Sequence, residues 1–138
     1  MLRRIATRSR VALCRADGSS RESHVSVARR HLGARGEELA ACWYAARGFE
    51  VLDRNWLCAG GEIDLVLRKG STLVVCEVKT RSTLAYGSPA DAVTGPKRAR
   101  LRRLAARWLA EHDVHPANVR FDVACVLGER VEILAHAF

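Results

Sequence analysis

The stretch from Gly61 to Arg81 constrains the fold more than any other part of the chain, because its pattern predicts a single β-hairpin. Both halves are rich in Val, Ile, Leu and Thr, residues that favour strands. Gly70 and Ser71 lie between the halves and suit a two-residue type II′ turn, which takes glycine at its first central position. Such a turn places Lys69 opposite Thr72, and every later pair in the register follows from that one.

This register predicts an unusual cluster of charges. Asp64 would lie opposite Glu77, and Glu62 opposite Lys79, on one face of the sheet. Two opposed carboxylates on a partly buried face repel each other, so packing alone gives no reason for them. A divalent cation would remove the conflict, because Mg²⁺ is commonly bound by one or two carboxylates with water and phosphate oxygens. The pattern therefore indicates metal-assisted phosphodiester hydrolysis, with Lys79 orienting a water or offsetting charge. The alternative is a solvated face of exposed ion pairs.

Net charge divides the chain into two parts. The 138 residues carry a formal net charge of +8, and their number suits one domain. Residues 1–30 contain eight Arg against Asp17 and Glu22, a net charge of +6, which leaves +2 for residues 31–138. The first 30 residues also lack apolar periodicity, which predicts a disordered basic arm ahead of one domain from 31 to 138. Nonspecific attraction to a phosphate backbone is the alternative role for the arm.

Cysteine usage and hydropathy indicate the compartment. The five cysteines are scattered without a C-x-x-C motif, which is typical of reduced thiols. No apolar run is long enough to span a membrane, and residues 1–20 lack the continuous apolar segment of a secretory signal. These features predict a cytoplasmic protein with no membrane partner.

Apolar periodicity predicts the order helix, three strands, helix, two strands. The first helix is expected from Gly33 to Arg47 and a strand from Phe49 to Leu57, ahead of the hairpin. A second helix is expected from Lys97 to Glu111, followed by strands from Arg120 to Leu127 and from Arg130 to Ala135. This succession implies α+β or α/β layering, with helices covering a mixed sheet of about five strands.

The second predicted helix has a strongly basic face. Apolar residues form a stripe at helical spacing, and the remaining positions carry six cations before the first acid, Glu111. Such a face is a candidate phosphate-binding surface, and a solvated charged face is the alternative. The six cations are Lys97, Arg98, Arg100, Arg102, Arg103 and Arg107.

Several motifs, taken in order, resemble those of a known family. Asp64 followed by Glu77-Val78-Lys79 resembles the PD-(D/E)xK signature of restriction-endonuclease-like nucleases and archaeal Holliday-junction resolvases. From about His31 to Phe138 the longer set is similar to the YraN-like family of bacterial proteins. That set is Gly33-x-x-x-Glu37, Arg54-Asn55, Gly61-Glu62-Ile63-Asp64, Glu77-Val78-Lys79-Thr80-Arg81, Lys97, Arg120-Phe121-Asp122-Val123 and Ala137-Phe138.

The resemblance implies a restriction-endonuclease-like core and an endonuclease that acts on DNA, including branched or structured DNA, with Mg²⁺ or Mn²⁺ and leaves a 5′-phosphate. Asp64 and Glu77 would bind the metal together with the main-chain carbonyl of Val78. Glu37 would complete the shell directly or through water, although an acid in the first turn of a helix also favours the helix dipole. Lys79 would position or help deprotonate the attacking water. The predicted nucleic-acid contacts are Arg81, Lys97, Arg98, Arg102 and Arg103.

Other classes of function stay open. A nucleic-acid-binding module without chemistry, inside a repair or recombination assembly, would need the same fold and basic surface. The sequence retains Glu37, Asp64, Glu77 and Lys79, which a purely binding protein would be free to lose. A structural protein with an incidental basic tail is a third alternative. Because resolvase-like relatives work as dimers, a homodimer is also left open.

Overall fold

The computed structural model describes residues 24–82 and 94–138, with the backbone alone for residues 24–29. These ranges confirm the predicted order of elements and an α+β fold. Within them, no helix is both long and apolar enough to cross a membrane, and the four cysteines described are free thiols, as predicted. The elements are α1 (His24–Ala45), β1 (Glu50–Cys58), β2 (Gly61–Lys69), β3 (Thr72–Arg81), α2 (Gly95–Glu111), β4 (Asn118–Leu127) and β5 (Arg130–Leu134).

The five strands form one mixed sheet in the order β1-β2-β3-β4-β5. Strands β1, β2 and β3 pair antiparallel, and so do β4 and β5, whereas β3 and β4 are parallel. A parallel pair needs a long crossover connection, and α2 lies in that connection. The predicted mixed sheet of about five strands is therefore confirmed.

A helix covers each face of the sheet. On the α1 face, Tyr44 packs against Leu67 and Val126 within one buried cluster. On the α2 face, Trp108 packs with Val66 in a second cluster. The predicted apolar stripe of α2 is confirmed, because its buried residues are Leu101, Leu104, Ala105 and Trp108.

The hairpin has the predicted turn and, near that turn, the predicted register. Lys69 pairs with Thr72, and the ladder continues as far as Leu65 and Cys76. Gly70 has a φ of 57°, in the left-handed region required at the first central position of a type II′ turn. Local turn chemistry therefore sets the alignment of β2 and β3.

The first helix is longer than the periodicity indicates. It begins at His24, so the predicted start at Gly33 and the predicted boundary at residue 30 both lie inside the helix. Most residues from 30 to 35 are exposed, and an exposed turn has no buried stripe for a periodicity argument to detect. Residues 1–23, the remainder of the predicted arm, lie outside the described residues.

Helix α1 approaches the sheet closely at Gly36. A Cβ atom added to Gly36 would lie 1.9 Å from Oγ1 and 3.1 Å from Cβ of Thr80, near the end of β3. The same atom on Gly33, the glycine of the sequence motif, would meet nothing within 4 Å. The close approach therefore depends on Gly36, and it brings the next residue, Glu37, to the end of β3.

Asp122 has a structural role at the centre of a hydrogen-bond network. It is 1% exposed and accepts two hydrogen bonds from Arg120, of 2.9 and 2.8 Å. The hydroxyl of Tyr44 donates a third of 2.7 Å, and the main-chain N–H of His136 donates a fourth of 3.2 Å. Burial, above all, raises the pKa of Tyr44, so its hydroxyl remains a neutral donor. The network joins α1, β4 and the C-terminal segment.

Candidate active site

The candidate site lies at a fork where β2 and β3 separate. Their ladder ends at the pair Leu65 and Cys76, so the predicted backbone pairing of Asp64 with Glu77 does not form. Instead, the main-chain N–H of Val78 donates a hydrogen bond of 2.8 Å to Oδ2 of Asp64. In a regular ladder, the N–H of Val78 would bond to a carbonyl oxygen of β2. Here the carboxylate of Asp64 accepts that hydrogen bond and links the two strands at the fork.

Strand β1 deforms at the same level of the sheet. Asn55 lies between the pairs Arg54–Leu65 and Trp56–Ile63 and has a φ of 47°, a left-handed conformation that asparagine tolerates better than most residues. As a result, two consecutive side chains of β1 reach α1. Arg54 forms a salt bridge with Glu38, and Asn55 hydrogen-bonds to Glu37. A regular strand would direct these two side chains to opposite faces.

The alternation of β2 also breaks at Asp64. Ile63 packs on the α2 face, whereas Leu65 packs on the α1 face. Residues two apart on a regular strand share one face. This irregularity allows the side chain of Asp64 to turn towards Val78 in the fork, where it makes the hydrogen bond described above.

Carboxylates from three elements influence one another at the fork. Burial is the largest cause that raises the pKa of Asp64 to about 7, followed by the charge of Glu77, with smaller contributions from Glu37 and Glu62. Burial also raises the pKa of Glu37, while the hydrogen bond from Asn55 opposes that change. A low-dielectric site with this many acids does not favour full ionisation unless a cation is present.

Lys79 and Glu77 lie together, as the strand spacing predicts. Nζ of Lys79 is 2.9 Å from Oε1 of Glu77, and Glu77 is 8% exposed. Residues two apart on β3 share a face, so this ion pair needs no special backbone geometry. It places one ammonium group directly beside the carboxylate cluster.

The candidate ligands of a divalent cation, Asp64 and Glu77, do not belong to a closed protein cage. Among the residues described, no group of three His, Cys, Asp or Glu side chains lies in an arrangement that could hold a metal. Mg²⁺ commonly takes only one or two carboxylates and completes its shell with water and phosphate oxygens. Asp64 and Glu77 supply such a pair. The hydrogen bond from Asn55 to Glu37 suits a contact through water better than a direct ligand.

Two residues of this site were not among the predicted site residues. Glu62 adds negative charge near Asp64 and Glu37, and Asn55 orients the carboxylate of Glu37. Both belong to motifs in the sequence. Glu62 belongs to the charge cluster that the hairpin register predicts, which was a usable signal. The contact of Asn55 depends on a left-handed backbone and had no such signal.

The five predicted nucleic-acid contacts occupy two places. Arg81 ends β3 beside the fork, and the other four lie on α2. Guanidinium groups of Arg98 and Arg102 lie 5.5 and 5.4 Å from the ring centroid of Phe138, so both contact the C-terminal aromatic residue. Arg103 is exposed. Lys97 is partly buried.

The first turns of α2 lie at the same end of the sheet as the fork. Cδ and Nε of Arg100 are 3.7 and 3.9 Å from a Cβ position built on Gly61, the residue at which β2 begins. Nε of Arg100 is buried and has no hydrogen-bond partner within the described ranges. Arg100 therefore borders the site more closely than its position in the basic helix alone indicates.

Comparison with known proteins identifies the family. The fold and the fork define an α+β protein with a carboxylate cluster between two strands. The family model for Uncharacterised protein family UPF0102 matches residues 36–126. A UPF0102 protein of Beutenbergia cavernae is 62% identical over 99 residues, which cover 72% of this chain and 84% of that protein. The chain belongs to UPF0102, the YraN-like family, which confirms the predicted resemblance.

Other relatives cover a similar share of the chain. A UPF0102 protein of Frankia alni is 59% identical over 112 residues, covering 78% of this chain and 93% of that protein. A UPF0102 protein of a Nocardioides species is 51% identical over 108 residues, covering 78% and 87%. The matched family region spans every candidate catalytic residue described above, from Glu37 to Lys79.

Proposed function

We propose that this protein is a divalent-metal-dependent endonuclease that hydrolyses DNA phosphodiester bonds, including those of branched or structured DNA. The observation that carries the proposal is the half-buried carboxylate of Asp64 at the fork, which accepts a hydrogen bond from Val78 and whose pKa desolvation and the charge of Glu77 raise to about 7. A carboxylate in that setting is destabilised until a cation approaches it, and Lys79 stands beside the same cluster.

The chain's own groups have distinct roles in this proposal. A bound Mg²⁺ or Mn²⁺ would stabilise the charge of the pentacovalent phosphate and acidify a water. Asp64 and Glu77 would hold it together with the carbonyl of Val78, and Glu37 would act through water. Sharing the charge of Glu77 with a cation would weaken the ion pair between Glu77 and Lys79. The ammonium group of Lys79 would then be available to orient the attacking water.

The basic side of α2 supports a nucleic-acid substrate. Arg103 is exposed, and the first turns of the helix lie at the same end of the sheet as the fork. Cations on such a surface attract a phosphate backbone regardless of sequence, because the attraction needs only charge. A strand held along α2 can therefore reach the carboxylate cluster.

Cleavage assays with matched lysine variants test the catalytic proposal. Branched, flapped and linear DNA should be incubated with Mg²⁺ and with Mn²⁺. Lys79→Ala should lower the cleavage rate by about 10²–10⁴-fold, the usual contribution of one proton-transfer or positioning group, while it leaves most of the metal and DNA binding intact. Lys69→Ala, at the exposed turn of the same hairpin, is the matched control and should cleave like the wild type.

Two acidic variants separate the metal ligands from their support. Asp64→Asn should lose both cleavage and metal binding, measured by calorimetric titration with Mn²⁺. Glu37→Gln should fall between wild type and Asp64→Asn, because a partner outside the first ligand shell typically contributes ten- to a hundredfold. If the wild type cleaves none of these DNA forms, or if Asp64→Asn and Lys79→Ala cleave undiminished, the catalytic proposal fails.

The second candidate function is a nucleic-acid-binding module without chemistry, for example within a repair or recombination assembly. Two observations favour it: the basic surface of α2, and the lack of a three-residue metal arrangement in the part of the chain that is described. A wild-type protein that binds branched DNA and does not cleave it with either metal would establish this candidate over the nuclease.

Salt dependence tests the basic surface of α2. Arg103→Gln should weaken DNA binding about equally for all sequences and should reduce the slope of log K against log salt by about one, because one phosphate contact is lost. Arg47→Gln is the control, since Arg47 is exposed near the hairpin turn, where Lys69 bonds its carbonyl. Binding constants measured between 50 and 200 mM salt provide the slopes. Equal slopes for wild type and Arg103→Gln would show that Arg103 is solvated and does not contact the phosphate backbone.

A further inference from the structure

A cleft lies beside the fork, between the middle of α1 and the end of β3. Its volume is about 590 Å³, within the range of about 300–1,000 Å³ typical of sites that hold one small molecule. Residues of α1 form one wall and residues of β3 form the other. The lining includes Leu32, Gly33, Glu37, Val78, Thr80 and Arg81.

The walls of the cleft combine apolar, hydroxyl and charged groups. Leu32 and Val78 supply apolar surface, and Thr80 supplies a hydroxyl. Arg81 supplies a cation whose Nη1 is shielded from solvent and has no hydrogen-bond partner among residues 24–82 and 94–138. A shielded donor without an acceptor is costly, so this guanidinium gains from an anionic group that enters with a ligand.

The cleft is continuous with the candidate site. Val78 lines the cleft, and its main-chain N–H donates a hydrogen bond to Asp64 in the fork. Glu37 lines the cleft as well, and its carboxylate interacts with Glu77. The negative charge of Glu37 disfavours an anion at that wall and directs it towards Arg81. A ligand with an apolar flat body and one anionic group matches this distribution.

We propose that the cleft holds one unpaired nucleotide of a nucleic-acid strand, adjacent to the phosphate that the fork would cleave. The base would contact Leu32 and Val78, and the phosphate would contact Arg81. This inference rests on the proposed nuclease function and narrows its substrate to strands with at least one unpaired nucleotide. A base that is stacked and paired in a duplex cannot enter such a cleft, whereas an unpaired base presents both faces to apolar side chains.

The test measures binding without cleavage, in buffer that contains EDTA and no divalent metal. Fluorescence anisotropy with the full chain should show tighter binding of an oligothymidylate of ten nucleotides than of a blunt duplex of equal length. Gly33→Phe should weaken oligothymidylate binding at least tenfold, because a Cβ on Gly33 meets nothing within 4 Å and the ring can extend into the cleft. Ala34→Phe is the matched control, since Ala34 is exposed and is not part of the lining.

A second variant tests the anion contact. Arg81→Met removes the charge and keeps most of the length, so it should weaken oligothymidylate binding and reduce its salt slope by about one. Thymidine monophosphate should compete only weakly, because the proposed ligand is one nucleotide of a longer strand. Competition by the mononucleotide as strong as that by the oligonucleotide would overturn the assignment to a strand. Thermal unfolding of each variant verifies that its fold is retained.

The outcomes separate this proposal from the nuclease proposal. Equal affinity for duplex and single strand, or equal loss in Gly33→Phe and Ala34→Phe, would overturn the nucleotide cleft. If the protein prefers single strands in EDTA but cleaves no DNA with metal, the nucleotide cleft is supported and the nuclease proposal fails. If the protein cleaves fully paired duplex and Gly33→Phe has no effect on that cleavage, the nuclease proposal is supported and the nucleotide cleft fails.

Discussion

Without divalent metal, the free energy of unfolding of the wild-type protein should fall relative to that of Asp64→Asn as the pH rises from about 4 to about 8. Burial and Glu77 raise the pKa of Asp64 from 3.8 to about 7 in the folded state. Between these two values the folded state keeps a proton that the unfolded state has released, so stability declines as pH increases. The slope is at most about 1.4 kcal/mol per pH unit, and the accumulated difference should reach roughly 2–4 kcal/mol at pH 8.

The measurement is urea-induced unfolding of both proteins at each pH in EDTA. The difference between them isolates the Asp64 carboxyl from other groups, such as Glu38, whose pKa is lowered mainly by its hydrogen bond from Arg54. An asparagine oxygen can still accept the hydrogen bond from Val78, so the variant should fold. Parallel stability curves for the two proteins across this pH range would show that Asp64 ionises normally in the folded protein.

Divalent metal should reverse the difference in the free energy of unfolding between wild type and Asp64→Asn at high pH. At a Mg²⁺ or Mn²⁺ concentration about 100 times the dissociation constant, the wild type should gain about 2.7 kcal/mol, and Asp64→Asn should gain little. Glu50→Gln is a control for general charge effects, because Glu50 is an exposed acid on β1 that pairs with Arg68, towards the hairpin turn and away from Asp64. A gain of equal size in Asp64→Asn would place the cation elsewhere on the protein.

Gly36→Ala should destabilise the protein by about 1–3 kcal/mol, the usual cost of forcing an extra methyl group into a packed site. The added Cβ would lie 1.9 Å from Oγ1 of Thr80 and 3.1 Å from its Cβ. Rotation of the hydroxyl can relieve the first contact, but the second requires α1 to move away from β3. Gly33→Ala is the matched control in the same helix. It should stabilise the protein by up to about 1 kcal/mol, because alanine favours a helix over glycine.

Thermal unfolding distinguishes these two glycine variants, since 1 kcal/mol shifts the midpoint by roughly 4–8 °C in a small domain. Thr80→Ala should rescue only part of the loss in Gly36→Ala, because it removes Oγ1 and the Cγ2 atom that lies 3.3 Å from the added Cβ but keeps the Cβ atom at 3.1 Å. Gly36→Ala should also lower metal affinity, since moving α1 displaces Glu37 from the fork. Similar stabilities for the two single variants would mean that α1 does not depend on this close approach.

Local sequence preferences predicted much of the sheet and the second helix. The Gly70-Ser71 turn aligns Lys69 with Thr72 in the structure, and that pairing extends to Leu65 and Cys76. The register fails beyond that point, where Asp64 bonds to Val78 instead of pairing across from Glu77. A turn sets the alignment of strands near it, but it cannot specify where two strands separate, because separation depends on groups supplied by other elements.

The candidate site divides in the same way. Glu77 and Lys79 are two residues apart on one strand, so their proximity follows from the period of a strand alone. The contact between Asn55 and Glu37 joins β1 to α1 and needs a left-handed residue in the middle of a strand. No local pattern indicates such a conformation at an asparagine that lies between strand-forming residues.

By itself, the sequence determined the α+β order, the hairpin turn, the buried stripe of α2 and the pairing of Glu77 with Lys79, because each depends on neighbours along the chain. Only the tertiary structure decided the fork at Asp64, the contact of Asn55 with Glu37, and the role of Gly36 in place of Gly33. Those features arise where α1 packs on the ends of β1, β2 and β3. Close packing between distant segments depends on how all the elements fit together, and the pattern of residues along one segment does not specify that fit.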